Sequence, residues 1–338
     1  MKALFYPAFD QLEIRDLPMP EPAQDEVLLH VAACGLCGSE LETFKNHSPR
    51  RQPPLVMGHE FCGTVAAVGV GGDAALVGQK YVSNSLIPCG RCMRCTRGDT
   101  HLCADRQIFG MHRAGAFAEY VRVPTRVLIP WPQKLSAQAA ALAEPLGNGV
   151  HIVNLTRHLP VRTALVIGAG PIGLMCQQAL QAMRGVSTMV CDLSLGRLAV
   201  AKKLGATRVV SSKNEDVAAA ALAWTEGEGV DLVVDAAGSA ATKRLSLAAL
   251  RPGGAAVWIG LHANTMELDS YGVTLPEKQI FGTYAAKIEE LTEALELMRS
   301  GRVDVTSWTE TVPLEQAVPA FHRMLAPGDS DLKAVFIP

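Results

Sequence analysis

Apolar and polar positions along this chain follow two rhythms. Between residues 160 and 283, short apolar runs alternate with stretches at helical spacing. TALVIGAG (163–170) is an unbroken apolar run ending in glycines, and PIGLMCQQALQAM (171–183) repeats its apolar residues as a helix does. STMVCD (187–192) and LGRLAVAKKLGA (195–206) repeat the pair. TRVVSS, EDVAAAALAWTEG, VDLVVDAAGS, ATKRLSLAAL and GAAVWIG continue it, and KQIFGTY (278–284) supplies a sixth strand. This alternation predicts a parallel sheet with helices on both faces. Residues 1–145 are different. VLLHVAAC (27–34), CGTVAAVG (62–69) and FAEYVRV (117–123) read as strands between Gly- and Pro-rich turns, with little helical periodicity. That pattern predicts an irregular β domain, a partly closed barrel. After an amphipathic helix in KIEELTEALELMRSG (287–301), the tail through DLKAVFIP returns to strand-like text and is expected to rejoin the first domain.

Length and composition agree with two domains. The 338 residues are 49% hydrophobic, enough for two cores. A net charge of -2 and 5% aromatic content speak against a nucleic-acid or membrane-surface protein. MKALFYPAFDQLEIRD lacks the apolar core of a signal peptide, and no apolar run reaches the roughly 18 residues of a membrane span. The expectation is a cytoplasmic protein whose nine cysteines stay reduced, which favours metal binding or catalysis over disulfides.

The motifs sharpen this picture. GAGPIG places Gly168, Gly170, Pro171, Ile172 and Gly173 between an apolar strand and a helix, the context that a G-x-G-x-x-G dinucleotide fingerprint requires. Gly168 permits the tight turn, Gly170 close approach to a pyrophosphate, and Gly173 close helix packing; the anion would sit on the helix N-terminus. Asp192, 19 residues beyond Gly173, suits the ribose hydroxyls and repels a 2′-phosphate, which predicts NAD, while the nearby Arg197 partly offsets that repulsion. Gly238 and Gly260 fall at later strand ends and are expected to border the nicotinamide. In the first domain, GLCGSE presents Cys37, MGHEFCG presents His59 and Glu60, and AEPLGNGVH presents Glu144. Thiolate, imidazole and carboxylate together suit zinc with one position open to substrate. PCGRCMRCTRGDTHLC adds Cys89, Cys92, Cys95 and Cys103, which can close a four-thiolate shell around a second zinc, with disulfides as the alternative. Arg91, Arg94 and Arg97 run through that cluster, and a zinc-lobed nucleic-acid-binding protein is a remote alternative that the overall charge opposes.

With these motifs in order, together with GHEFCGTVAAVG, GAFAEY (115–120) and EPLGN (144–148), the chain resembles the zinc-dependent medium-chain dehydrogenases/reductases, the alcohol and polyol dehydrogenase group, over essentially its whole length. The resemblance implies a GroES-like catalytic domain (residues 1–146, completed by 285–338) with an inserted Rossmann NAD-binding domain (147–284), and an active site in the cleft. It implies Cys37 and His59 as catalytic zinc ligands and Glu60 as a third or exchangeable one. Glu144, direct or through water, follows the sorbitol, galactitol-phosphate and threonine dehydrogenase branch. It further implies Glu40 as the acid that orients the histidine, Ser39 as the hydroxyl that takes the substrate proton, the four-cysteine lobe as structural zinc, and a homodimer or homotetramer. Glu42 stands where many members carry a relay histidine. The implied reaction interconverts a secondary alcohol and a ketone. Asn46, His47, Arg50, Arg51 and His112 are polar candidates for the substrate, and a polyol, sugar or amino-alcohol is expected. L-threonine 3-dehydrogenase is the alternative, although the loop before His59 is short for that enzyme.

Overall fold

The strand Glu26–Gly35 takes in the whole VLLHVAAC run and is buried along most of its length, as befits a central strand covered on both faces. Antiparallel partners flank it: Glu60–Val68, Tyr120–Pro124 and, from the C-terminal tail, Ala334–Ile337. Lys80–Ser83, Leu128–Pro130 and Glu310–Pro313 complete this seven-stranded sheet, and a three-stranded sheet joins Lys2–Tyr6 to Glu13–Asp16 and Leu55–Val56. The core packs aromatic rings edge to face, Phe61 on Phe109 at 5.1 Å and Phe117 on Phe336 at 5.0 Å.

The computed structural model describes all residues except 327, 329 and 330. It divides into two units, Met1–Gly147 with Ala286–Gly301 and Val305–Pro338, and Asn148–Ala285 with Arg302–Asp304. The last short segment belongs with the second unit because the Gln178 amide bonds both backbone groups of Asp304, at 2.9 and 2.8 Å. In that unit six parallel strands run in the order Arg208–Ser211, Ser187–Asp192, Thr163–Ile167, Val230–Asp235, Leu250–Trp258 and Gln279–Gly282. This is the Rossmann order, with the chain reversing direction across the sheet beside Thr163–Ile167. The fold is therefore a GroES-like β unit plus a Rossmann-type α/β unit. Among the described residues no helix is long and apolar enough to cross a membrane.

Helices also lie where the periodicity points to none, among them Ala143–Leu155 and the two that follow. Gly38–Asn46 buries only Glu40, Thr43 and Phe44, too few for an apolar stripe; its start is set instead by a capping box in which the Cys37 sulfur replaces the usual hydroxyl. Ala317–Leu325 interrupts the strand-like tail. It buries Ala317, Ala320, Phe321 and Met324 at helical spacing, and its proline sits in the first turn, where a missing N–H costs nothing.

Candidate active site

Strand register assembles the first ligand cluster. Gly35 pairs with Glu60 across two antiparallel strands, and Cys37 follows two residues later as the N-cap of the Gly38–Asn46 helix. A Cβ on Gly35 would stand 2.2 Å from Glu60 Oε2, so glycine there leaves room for the carboxylate. Gly58 precedes His59 at a φ of +100°, pressed against the Phe117 backbone and the Cys34 sulfur, a conformation that favours glycine. The ligand atoms of Cys37, His59 and Glu60 lie within 4.8 Å of one another. This thiol, imidazole and carboxylate set fits zinc with a fourth position open.

Glu40 organises the cluster. One carboxylate oxygen accepts from the Cys37 amide at 2.8 Å, the other from the Gly58 amide at 3.2 Å and from His59 Nδ1 at 2.6 Å. With Nδ1 holding the proton, the Nε2 lone pair is left to bind a metal. Burial opposes ionisation of Glu40, but the His59 ring and, more remotely, Arg51 outweigh it and bring its carboxyl down to about 2. Burial likewise disfavours a charged His59, and the Glu40 carboxylate overrides it, raising the ring well above its ordinary value.

Glu144, in the first turn of the helix Ala143–Leu155, is buried and accepts from Ser85 Oγ at 2.7 Å. Burial pushes its carboxyl up. It does not join the three side chains whose ligand atoms meet within 4.8 Å. Sequence reasoning missed Lys333. Its ammonium, with only 3% of the side chain exposed, pairs with both oxygens of Glu60 at 2.5 and 2.7 Å. A lone lysine inside the apolar DLKAVFIP was the signal that could have found it. Ser39 is exposed beside Cys37, its amide 3.5 Å from the sulfur. Glu42, Asn46 and Arg50 are exposed. His47 is engaged by Asp10 at 2.8 Å and stacks on Phe9, and His112 Nδ1 accepts from the Ile108 amide at 3.1 Å. Arg51 points inward and is 4% exposed.

The second cluster contains Cys89, Cys92, Cys95 and Cys103. The sulfur of Cys92 stands 3.6 Å from that of Cys95 and 3.8 Å from that of Cys103, and the Cys89 sulfur stands 4.0 Å from that of Cys95. A tetrahedral shell at the usual zinc–sulfur length of about 2.3 Å spaces its sulfurs about 3.8 Å apart, so the four thiols fit that geometry. The Cys92 amide also donates to Cys89 Sγ and the Cys89 amide to Cys103 Sγ, which suits thiolates. A lysine–aspartate pair, Lys287 to Asp99 at 3.0 Å, ties this lobe to the helix Ile288–Arg299.

In the second unit, Gly168 adopts a φ of +98° and Gly170 caps the helix Pro171–Arg184, with Pro171 and Ile172 opening it. A Cβ on Gly173 would lie 1.8 Å from the Gly168 carbonyl oxygen. Asp192 ends its strand with both oxygens on backbone amides, Oδ2 on Ala169 at 2.7 Å and Oδ1 on Ser194 at 2.8 Å. Each oxygen retains acceptor capacity for a ribose hydroxyl. Arg197 extends to within 4.0 Å of the position a Cβ on Gly170 would take. Gly238 and Gly260 pack backbone on backbone, where a Cβ on either would come within 2.1–2.4 Å of the other.

Two family descriptions match the chain: alcohol dehydrogenase GroES-like domain over residues 23–133 and zinc-binding dehydrogenase over 171–300. The D-arabitol-phosphate dehydrogenase of Enterococcus avium is 33% identical over 94% of this chain and 92% of its own. The sorbitol dehydrogenase of Bacillus subtilis is 33% identical over 100% and 97%. The L-threonine 3-dehydrogenase of Bacillus velezensis is 33% identical over 92% and 91%. Among solved structures, an Escherichia coli CFT073 enzyme described as a short chain alcohol dehydrogenase and complexed with NADH superposes with a TM-score of 0.93 at 26% identity, covering 100% of this chain and 99% of that one. A zinc-binding dehydrogenase from Sinorhizobium meliloti bound to NADP gives 0.91 at 29%, with the same coverage. The GroES-like and Rossmann-type units, the two ligand clusters and these full-length relatives together make the chain an oxidoreductase, a member of the zinc-dependent medium-chain alcohol and polyol dehydrogenase family.

Proposed function

We propose that this protein is a zinc- and NAD-dependent dehydrogenase that interconverts a secondary alcohol and a ketone on a polyol, sugar or amino-alcohol. The observation that carries the reading is the Cys37, His59 and Glu60 cluster with Glu40 behind His59. When bound, zinc supplies a Lewis acid that acidifies a coordinated hydroxyl, and NAD supplies a hydride acceptor. Cys37, His59 and Glu60 would hold the metal, with Glu144 joining directly or through water. Glu40 keeps the proton of His59 on Nδ1, and Lys333 holds Glu60 by its carboxylate, ready to exchange. Ser39 takes the substrate hydroxyl proton and passes it to solvent. Gly168, Gly170 and Gly173 admit the pyrophosphate to the helix N-terminus, and Asp192 receives the ribose hydroxyls and disfavours a 2′-phosphate. Cys89, Cys92, Cys95 and Cys103 would hold a second zinc, their four thiolates leaving no position for substrate.

The polar surroundings of Ser39, and relatives named for sorbitol and arabitol phosphate, support a polyol or sugar. The equal similarity to L-threonine 3-dehydrogenase supports the amino-alcohol alternative. A panel of polyols, sugar phosphates and threonine, assayed with NAD and with NADP by nicotinamide absorbance, tests both. Turnover of a secondary alcohol with the higher kcat/KM for NAD is expected. No turnover across the panel would sink the substrate class, and a preference for NADP would overturn the role given to Asp192.

A further inference from the structure

Arg51 raises a question that the family reading does not answer. It lies in the bend after the Gly38–Asn46 helix, yet it is 4% exposed. Its guanidinium donates to four oxygens: Nε to Gly110 O at 3.0 Å, Nη1 to Ser39 O at 3.0 Å and to Thr43 Oγ1 at 3.2 Å, and Nη2 to Ser39 Oγ at 3.1 Å. All four are neutral. Among the described residues no carboxylate stands within ion-pair distance of it. A cation withdrawn from water is normally paired with an anion, because desolvation is costly otherwise. Arg51 also favours the ionised form of Glu40 from beyond ion-pair distance, but neutral donors could brace the same loop at lower cost, so the full charge needs a further reason.

The reason lies at Ser39. A serine hydroxyl has one proton and two lone pairs. Arg51 occupies one lone pair from the buried side. The remaining lone pair and the proton are thereby directed away from Arg51, and Ser39 is exposed. The Ser39 amide donates to Cys37 Sγ at 3.5 Å, which ties the residue carrying this hydroxyl to the sulfur proposed as a metal ligand. A guanidinium stays charged throughout and gives up no proton.

We propose that Arg51 is a positioning residue for proton transfer at Ser39, orienting the hydroxyl and stabilising the negative charge that its oxygen carries as the proton moves. In alcohol oxidation the Ser39 O–H bond breaks toward water, and a new O–H bond forms with the substrate proton. In ketone reduction Ser39 gives its proton to the product oxygen and recovers one from water. The Arg51 donor faces Oγ in both directions and is unchanged at the end. This removes the need for a histidine in place of Glu42, because the hydroxyl is already prepared and exposed. The inference rests on the proposed proton route through Ser39.

The test uses the zinc-loaded enzyme and the fastest alcohol of the panel. Wild type, Arg51→Gln, Arg51→Lys, Ser39→Ala and the Arg51→Gln/Ser39→Ala double variant are compared for kcat, KM and the solvent isotope effect on kcat. Melting temperature and zinc content show which variants remain folded. Arg51→Gln is expected to lower kcat about tenfold or more, leave KM within about twofold and enlarge the isotope effect. Arg51→Lys, which keeps the charge, recovers part of the loss and serves as the comparison with wild type should Arg51→Gln fail to fold. In the Ser39→Ala background Arg51→Gln costs nothing further. If Ser39→Ala is slow and the two losses multiply in full, Arg51 acts elsewhere and the inference is wrong, while the serine route stands. If Ser39→Ala turns over like wild type, the serine route falls, and the inference with it. Equal losses for Arg51→Lys and Arg51→Gln would overturn the role of charge.

Discussion

Single side chains at strand ends carry much of the order in this protein, and Asp231 shows how. One oxygen of its carboxylate meets Arg251 Nε at 2.6 Å; the other accepts the Arg162 and Thr163 amides at 2.8 and 2.9 Å and the Thr163 hydroxyl at 3.1 Å. It thereby joins the starts of three neighbouring strands. Burial works against ionisation, but Arg251 and the two amides prevail and hold the carboxyl below its usual value. A depressed folded-state pKa stabilises above the unfolded value and loses that contribution as pH falls through the folded value. Asp231→Asn is therefore expected to cost about 2–3 kcal/mol at neutral pH by urea unfolding. That gap should hold steady down to about pH 5 and narrow only below about pH 4. A gap that widens on acidification would contradict it. This residue was invisible in the sequence, because an aspartate in VDLVVD looks like an ordinary polar break in a strand. Cys37, His59 and Glu60 were visible because their chemistry is rare in such company. Lys333 was not, because its meaning comes from an ion pair with Glu60, 273 positions away in the chain.

At the scale of elements, the strand–glycine–helix joint at 163–184 was read from the sequence nearly whole. Its apolar run, its three glycines and its helical repeat each require the others, and the structure puts Thr163–Ile167 and Pro171–Arg184 in those places. The close contact of Gly173 makes the joint testable. Any Cβ there meets the Gly168 carbonyl, so strand and helix must separate to accept one. Gly173→Ala is expected to weaken NADH binding about tenfold or more in a fluorescence titration, with the metal content unchanged. Unaltered affinity would mean that the helix can shift without disturbing the pyrophosphate site. The helix Gly38–Asn46 is the opposite case. Its apolar pattern is too thin to announce it, and a sulfur in the capping role disguises its start. The Ala317–Leu325 helix was lost for a related reason, since a proline within a short segment reads as a break unless its position in the first turn is known.

For the molecule as a whole, the proposed function divides the labour of staying folded and reacting between the two cysteine-bearing clusters. Four thiols, three of whose pairs are 3.6–4.0 Å apart, supply a full tetrahedral set, whereas Cys37, His59 and Glu60 supply three ligands. A closed shell contributes to folding, and an open one can admit a substrate. The Lys287–Asp99 ion pair is one of the side-chain links between the lobe and the rest of its unit. Zinc analysis of the purified enzyme is expected to give about two ions per chain, falling to about one in Cys95→Ser. That variant should melt about 5–10 °C lower, as the loss of a few kcal/mol implies for a chain of this size, yet keep measurable turnover per remaining zinc. The reverse pattern, full stability with turnover abolished, would move the reaction into the four-cysteine lobe. One zinc per chain in the wild type, unaffected by Cys95→Ser, would mean that the thiols are held by something other than a metal.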